Sequence, residues 1–267
     1  MAELTESDSA YLDSQLLLAE VLGVDRTWLM TWSDKGVDAD NQALFFELVR
    51  RRRDGEPIAY ILGMREFWGR EFFCNKHTLI PRPDTERLIE AVLDLNLPQD
   101  SQVLDLGTGT GCIGLTLAAE QKDWQVLAVD YSLPALKVAE RNKEHFSLTN
   151  VELIQSDWYS NVPKDTLFDL VVANPPYIDP QSPYVAEGDV RFEPDMALTS
   201  DQQGLNALQH VIFGAPKHLR DRGWLAVEHG YDQALSVKRL LVEIGFTEIQ
   251  QFQDIAGLDR CSIGQIR

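Results

Sequence analysis

"VLDLGTGTGCIG" runs from Val103 to Gly114. Its first four residues are a short apolar run broken by one acid, the pattern of a buried strand. Glycines follow at 107, 109 and 111, and "GCIGLTLAAEQ" then takes on helical spacing. Glycines let a backbone turn sharply and approach a ligand closely. A strand, a glycine-rich turn and a helix, in that order, open one unit of a sheet with helices packed on it. Gly109, Gly111 and Gly114 also satisfy GxGxxG. That match alone is weak, because glycines also serve ordinary tight turns.

Toward the C-terminus the alternation continues. "QVLAVD" predicts a strand and "SLPALKVAERNKEHF" a helix; "VELIQSD" and "FDLVVAN" predict strands. "GLNALQHVIFGAPKHL" predicts a helix, "GWLAVEHG" a strand and "YDQALSVKRLLVEIG" a helix. "FTEIQQFQDI" and "CSIGQI" close the chain as strands. Such βα alternation predicts an α/β fold, a mostly parallel sheet with helices on both faces. Two final strands in succession predict an antiparallel edge pair. Ligands on such sheets bind beyond the C-terminal strand ends, near the switch point.

Toward the N-terminus the pattern is helical. "DSAYLDSQLLLAEVLG" stops at Gly23, and "DNQALFFELVRRRRDG" is expected to be capped by Asp40 or Asn41 and to break at Gly55. Arg50 to Arg53 form the only dense positive run, read as a solvated helix end favoured by its dipole. Alternation around Phe67, Trp68, Phe72 and Phe73 predicts a hairpin turning near Gly69. Pro81 and Pro83 end it, and a helix then starts at Asp84 or Thr85 and runs through Leu95. The boundary falls between about residues 70 and 85. A helical domain with its hairpin linker would span 1–75, and the sheet domain 76–267.

Net charge is −18, with 44% hydrophobic and 25% charged residues. A soluble globular protein fits these values. A duplex nucleic-acid binder does not, because such proteins gather Lys and Arg against phosphates. The acidity suits a partner with a basic patch, or serves solubility alone. Cys74, Cys112 and Cys261 lack the spacing of a disulfide framework or zinc site. "MAELTESDSA" lacks the apolar stretch of a signal peptide, and no apolar run approaches a membrane span.

Three strand ends carry candidate ligand groups. Asp105 precedes the glycines and is a candidate for the polar end of a cofactor. Asp130 ends the next strand, placed to accept from both ribose hydroxyls of a nucleoside. Asp157 could meet an adenine amino group, and Trp158 could pack on the ring. The alternative for Asp130 and Asp157 is helix capping. Either NAD or S-adenosylmethionine fits this glycine loop.

The fourth strand ends in "NPPYIDP", from Asn174 to Pro180. Proline lacks the N–H of a strand ladder, so the strand stops there. The Asn174 side-chain oxygen and a proline-fixed carbonyl, that of Pro175, can accept hydrogen bonds from a planar amide or exocyclic amine. Tyr177 can pack against that group or wall its pocket. Such acceptors turn a delocalised, poorly nucleophilic nitrogen toward a methyl donor. A sulfonium is already a strong donor, so no metal is required.

"DLGTGTG", "AVD", "QSDWYS" and "NPPYIDPQSPYVAEGDVRFEP" together closely resemble the bacterial peptide chain release factor N5-glutamine methyltransferases, the PrmC/HemK family. "GEPIAYILGMREFWG", "LIPRPDTERLIE", "LAVEHG" and "DIAGLDR" extend the likeness over nearly the whole chain. The resemblance implies a class I, Rossmann-like methyltransferase sheet with S-adenosylmethionine as cofactor. It implies methyl transfer to the glutamine N5 of the Gly-Gly-Gln motif of class 1 release factors. It implies cofactor contacts from Gly107, Thr108, Gly109, Thr110, Gly111, Asp130, Trp158 and Asn174. Glutamine binding and catalysis fall to Asn174, Pro175, Pro176 and Tyr177. The helical N-terminal domain would grip the release factor, and Arg191, Phe192 and Glu193 would shape the site. A cytoplasmic monomer that binds neither membrane nor DNA is expected.

Enzymes that methylate a glutamine of ribosomal protein L3 share the clamp, but their linker reads more like "IPRSP" than the "IPRPDTE" found here. Adenine-N6 DNA methyltransferases share it too, and the charge opposes them. An NAD-dependent oxidoreductase leaves Asn174 to Tyr177 unexplained; a non-catalytic docking module would not need a clamp. Gln203 departs from the family's Asp-Gly pair, so its role is open. Of five histidines, only His229 ends a strand, and structural hydrogen bonding is its expected role.

Overall fold

In the computed structural model, which describes residues 9–267, the N-terminal unit is built on four helices: α1 (Ala10–Leu22), α2 (Arg26–Thr31), α3 (Ala39–Arg53) and α4 (Ile58–Leu62). The acidic stretch over residues 1–8, read above as no leader, lies outside the described residues. Gly23 ends α1 in the left-handed conformation, its N–H bonding the Ala19 and Glu20 carbonyls. The cap of α3 is Asp38, not Asp40 or Asn41. Its carboxylate accepts from the Asn41 N–H at 3.0 Å, and a capping side chain must reach the N–H three residues on. Helices α2 and α4 have six and five residues. Neither is long enough to show a helical period, and neither was expected.

The arginine run is also corrected. Arg52 is no solvated helix end: it bonds Asp13 at 2.8 Å and Asp189 at 2.7 Å, with 13% of its side chain exposed. Arg51 grips Glu56 with two bonds, of 2.7 and 2.6 Å. The described residues up to Met64 group into one unit with Ala186–Phe192, the segment that supplies Asp189. Leu17 and Val49 form its buried core.

Arg65–Val185 and Glu193–Arg267 form the second unit. It opens with a hairpin of β1 (Met64–Phe67) and β2 (Arg70–Phe73). Trp68 and Gly69 turn it with φ of +54° and +69°, the two left-handed residues of the tight turn that suits strand twist. A 3₁₀ turn (Pro83–Thr85) leads into α5 (Glu86–Leu93).

Seven strands follow: β3 (Gln102–Leu106), β4 (Gln125–Asp130), β5 (Val151–Gln155), β6 (Phe168–Ala173), β7 (Leu219–Glu228), β8 (Thr247–Gln253) and β9 (Asp259–Gln265). Their order is β5-β4-β3-β6-β7-β9-β8. The first five are parallel, and β9 runs antiparallel between β7 and β8. Alternate residues enter opposite cores. Val103, Leu170 and Val172 pack on one face; Leu104, Leu106, Val171 and Ala173 pack on the other. Near-continuous apolar runs are what a sheet covered on both faces requires.

Helices α6 (Cys112–Glu120), α7 (Leu133–His145), α8 (Asp195–Leu198), α9 (Asn206–Gly214) and α10 (Ala234–Ile244) complete the unit. Fully buried Asn142 of α7 ties the hairpin to the glycine loop. It accepts from the Phe73 N–H at 2.7 Å and donates to the Phe73 and Thr110 carbonyls at 2.9 and 2.8 Å. Chain order reverses at β3, whose neighbours are β4 and β6. The C-terminal ends of β3 and β6 therefore flank the switch point, where open α/β sheets bind ligands.

Candidate active site

A cavity of about 400 Å³ opens at that switch point. The loop after β3 forms its floor: Gly107, Thr108, Gly109 and Thr110 all line it. The Gly107 and Thr108 N–H groups both bond the Val129 carbonyl at 2.9 Å, clamping the loop to the end of β4. A Cβ added at Gly107 or Gly109 would meet only Trp158 at 3.9 Å or the Gly107 carbonyl at 4.0 Å, so the loop leaves room for a ligand. At Gly111 a Cβ would strike Leu115 at 2.6 Å, and Gly111 does not line the cavity. Its work is loop-to-helix packing.

Asp105 lies beneath the loop, fully buried and off the cavity wall. One oxygen accepts from Thr108 Oγ1 at 2.6 Å and the Gly114 N–H at 3.0 Å. The other is buried with no partner among the described residues, and burial pushes the carboxyl up to about 6.

Asp130 lines the cavity from the end of β4. Its oxygens accept from the Gly109 and Ser132 N–H groups, each at 2.8 Å. The cap of α7 is Ser132, which accepts from the Ala135 N–H, so Asp130 is not spent on capping. Each Asp130 oxygen retains a lone pair for a hydroxyl. Burial pushes its pKa up, against the pull of the two N–H groups. Asp157 and Trp158 line the cavity from the end of β5. Ser156 Oγ donates to the Trp158 carbonyl at 2.7 Å and accepts from the Asn161 N–H at 2.9 Å, which fixes that turn.

Asn174 and Pro176 line the same cavity; Pro175 and Tyr177 do not. Asn174 Nδ2 donates to Thr85 Oγ1 at 3.2 Å, and its Oδ1 accepts from no described residue. Tyr177 instead donates to the buried Glu228 at 3.1 Å, and burial beside that acid raises its pKa. Leu79, Arg82, Thr85 and Met196 also line the cavity and were not foreseen as site residues. No polar pattern in the linker or in "EPDMAL" marks them as cavity wall.

Arg191, Phe192 and Glu193 do not line the cavity. Glu193 is buried, where it accepts from the Ile80 N–H at 2.9 Å and pairs with Arg82. Arg191 and Phe192 pack at Gly55. His229 is fully buried between the Gly230 carbonyl at 2.9 Å and Ser262 Oγ at 2.8 Å. A carbonyl only accepts, so Nδ1 carries the proton and Nε2 accepts from Ser262. Gln203 contributes only its backbone carbonyl, which accepts from Gln233 Nε2 at 3.1 Å. Burial pushes the Cys112 thiol in the cavity wall up to about 12, so it stays neutral and unreactive.

Comparison with known proteins settles the family. The family described as PrmC N-terminal domain matches residues 1–63, and that described as methyltransferase small domain matches residues 84–187. The release factor glutamine methyltransferase of Pseudomonas aeruginosa is 45% identical over 99% of this chain and 95% of its own length. That of Vibrio cholerae is 45% identical over 98% of this chain and 91% of its own. The chain belongs to the release factor glutamine methyltransferase family. Among solved structures, a 16S rRNA methyltransferase of T. thermophilus, in complex with AdoMet and guanosine, superimposes with a TM-score of 0.56 at 22% identity. It covers 76% of this chain and 50% of that one, and the likeness is one of fold.

Methyltransferase chemistry with S-adenosylmethionine as cofactor goes with that membership. The cavity fits the cofactor: it is large enough for an adenosyl group, its loop is open over Gly107 and Gly109, and Asp130 offers free lone pairs. NAD-dependent chemistry, left open by the glycine loop, is set aside.

Proposed function

We propose that this chain methylates the side-chain N5 of the glutamine in the Gly-Gly-Gln motif of class 1 release factors. The observation that carries the reading is Asn174. It lines the cavity of the glycine loop with its amide N–H₂ already engaged and its Oδ1 open. The release factor is the substrate named for the relatives at 38–45% identity.

Gly107 to Thr110, Asp130 and Trp158 would hold the cofactor, whose sulfonium supplies an electrophilic methyl when bound. Asn174 Oδ1 would accept from one N–H of the substrate amide, and the Pro175 carbonyl, which accepts from no described backbone N–H, from the other. Two acceptors restrain the amide so that its nitrogen faces the donor. Prolines 175 and 176 hold the turn rigid, so little order is lost on binding. Tyr177 would anchor the clamp from behind through its bond to Glu228 rather than wall the substrate. The helical unit would grip the release factor, with Tyr11, Met30, Trp32 and Phe46 each about half exposed or more. Exposed apolar side chains of this kind suit a protein partner. A charge of −18 suits neither DNA nor RNA. Among the described residues no helix is long and apolar enough to cross a membrane. We place the enzyme in the cytoplasm as a monomer.

Incubation with a labelled methyl donor and an unmethylated release factor should put one methyl on the Gly-Gly-Gln glutamine, mapped by mass spectrometry. Label on ribosomal protein L3 or DNA alone would keep the clamp and overturn the substrate. Asp130→Ala should weaken cofactor binding by about 1–3 kcal/mol, the loss of a charge-assisted hydrogen bond. Calorimetric titration checks it, and unchanged affinity would remove Asp130 from the ribose role.

A further inference from the structure

Exposed apolar side chains are not confined to the helical unit. In the sheet unit Ile255 is fully exposed, and Tyr231, Leu235 and Leu258 are 43–59% exposed. The topology gathers these four at one end of the sheet. β6 and β7 are parallel, and β9 is antiparallel to both β7 and β8. β8 therefore points the same way as β6, the strand that delivers Asn174. The loop after β8 carries Ile255 and Leu258, and the loop after β7 carries Tyr231 and leads into Leu235 of α10. The two loops are tied together. The His229 N–H bonds the Arg260 carbonyl at 2.9 Å, and Gln251 Nε2 donates to the Ala234 carbonyl at 2.8 Å.

The loop after β8 is also braced from within. The Asp254 carboxylate accepts from the Leu258 N–H at 3.0 Å and from Arg260 Nη2 at 2.8 Å, and the Asp254 N–H bonds the Leu258 carbonyl at 2.9 Å. Arg260 also reaches Asp84 at 3.5 Å. Asp84 lies between Arg82 and Thr85, which both line the cavity, so the loop is fastened to the cavity wall. A single exposed apolar residue is ordinary. Four of them at the strand ends where a protein side chain must enter mark a contact surface. A braced loop loses little order when it is covered. Asp84 and Asp232 beside it are exposed acids. They favour a partner whose apolar patch is edged by Lys or Arg.

We propose that Tyr231, Leu235, Ile255 and Leu258 form a docking surface for the release factor, seating an apolar, basic-edged patch of the domain that carries the Gly-Gly-Gln loop. The inference rests on the release-factor reading above. The surface holds the body of the substrate while its glutamine enters the cavity. It therefore acts on affinity for the protein substrate and leaves the chemistry at the clamp alone.

The test uses the full-length protein and an unmethylated release factor. Ile255→Ala should weaken release factor binding, and raise its KM, by about tenfold, since most of one buried isoleucine is lost. Leu258→Ala should act in the same direction. In both variants kcat at saturating release factor, cofactor affinity by calorimetry and the thermal midpoint should stay at wild-type values, because the side chains are exposed in the free enzyme. Leu167→Ala is the control: Leu167 is 43% exposed just before β6, at the opposite end of the sheet, and its loss should leave KM unchanged. Benzoylphenylalanine placed at position 255 should cross-link to the release factor under light, and at position 167 should not. Wild-type affinity in both Ile255→Ala and Leu258→Ala, or cross-linking from 167 as strong as from 255, would overturn the docking surface. Failure of the wild-type protein to methylate the release factor would overturn the proposed function and this partner with it, whereas normal methylation with unchanged KM in the variants overturns the docking surface alone.

Discussion

Asn174→Ala is expected to lower kcat for methyl transfer by about 100- to 1000-fold, the range seen when one positioned polar group at a reacting centre is removed. Cofactor affinity should stay within a few-fold. The two effects separate because of where the side chain sits. The proposed cofactor cradle lies at the β3 and β4 strand ends, where Gly107–Thr110 and Asp130 line the cavity and are held by backbone bonds that Asn174 does not touch. Asn174 approaches the same cavity from β6, with only its N–H₂ engaged, by Thr85. On the proposed clamp, truncation would remove one acceptor for the substrate amide and leave the cradle intact. Single-turnover rates and calorimetric titration of the cofactor measure the two separately. A large loss of cofactor affinity would move Asn174 into the cofactor site.

Gly204→Ala is expected to cost about 2–5 kcal/mol of stability, from left-handed strain of about 1–2 kcal/mol and about 1–3 kcal/mol for overpacking. Gly204 has φ of +79°, and a Cβ there would stand 1.9 Å from the Tyr177 carbonyl oxygen and 2.7 Å from Gln233 Nε2. Backbone cannot give way as a flexible side-chain tip can. Gln233 is also the bridge between that carbonyl, at 3.0 Å, and the Gln203 carbonyl, at 3.1 Å. The added methyl therefore pushes apart the loop that holds the end of the clamp, and kcat should fall with stability. Urea denaturation checks it, as a lower midpoint at unchanged slope. Gln203→Ala should stay within about 0.5 kcal/mol, since only the backbone of Gln203 is used.

The central fold is legible because its signals are local. Strands buried on both faces are written as runs such as "FDLVVA", and the glycine loop and the Asn-Pro-Pro-Tyr turn each occupy consecutive residues. Any contact that follows from the period of one strand, or from the φ of one turn, can be read from neighbours in the chain. The Rossmann-like order, the hairpin at Trp68 and Gly69, and the meeting of Gly107, Asp130, Trp158 and Asn174 at the strand ends all belong to this class.

What is not local stayed hidden. Asn174 and Thr85 meet across 89 residues, and Tyr177 and Glu228 across 51. Nothing near Glu228 distinguishes a buried acid from an exposed one, because its burial is decided by the strands on either side. Arg52 reads as a surface charge until the segment carrying Asp189 closes on it. The adjacency of β8 and β9 is written in the chain, yet only packing decides that β9 lies inside and β8 at the edge. Backbone periodicity and turn chemistry, both local, suffice for the layered sheet, the glycine loop and the Asn-Pro-Pro-Tyr turn. Long-range packing sets that Asn174 and Pro176 line the cavity while Tyr177 turns to the buried Glu228. Those choices depend on hydrogen-bond partners that distant strands supply, and on burial that no short window of sequence contains.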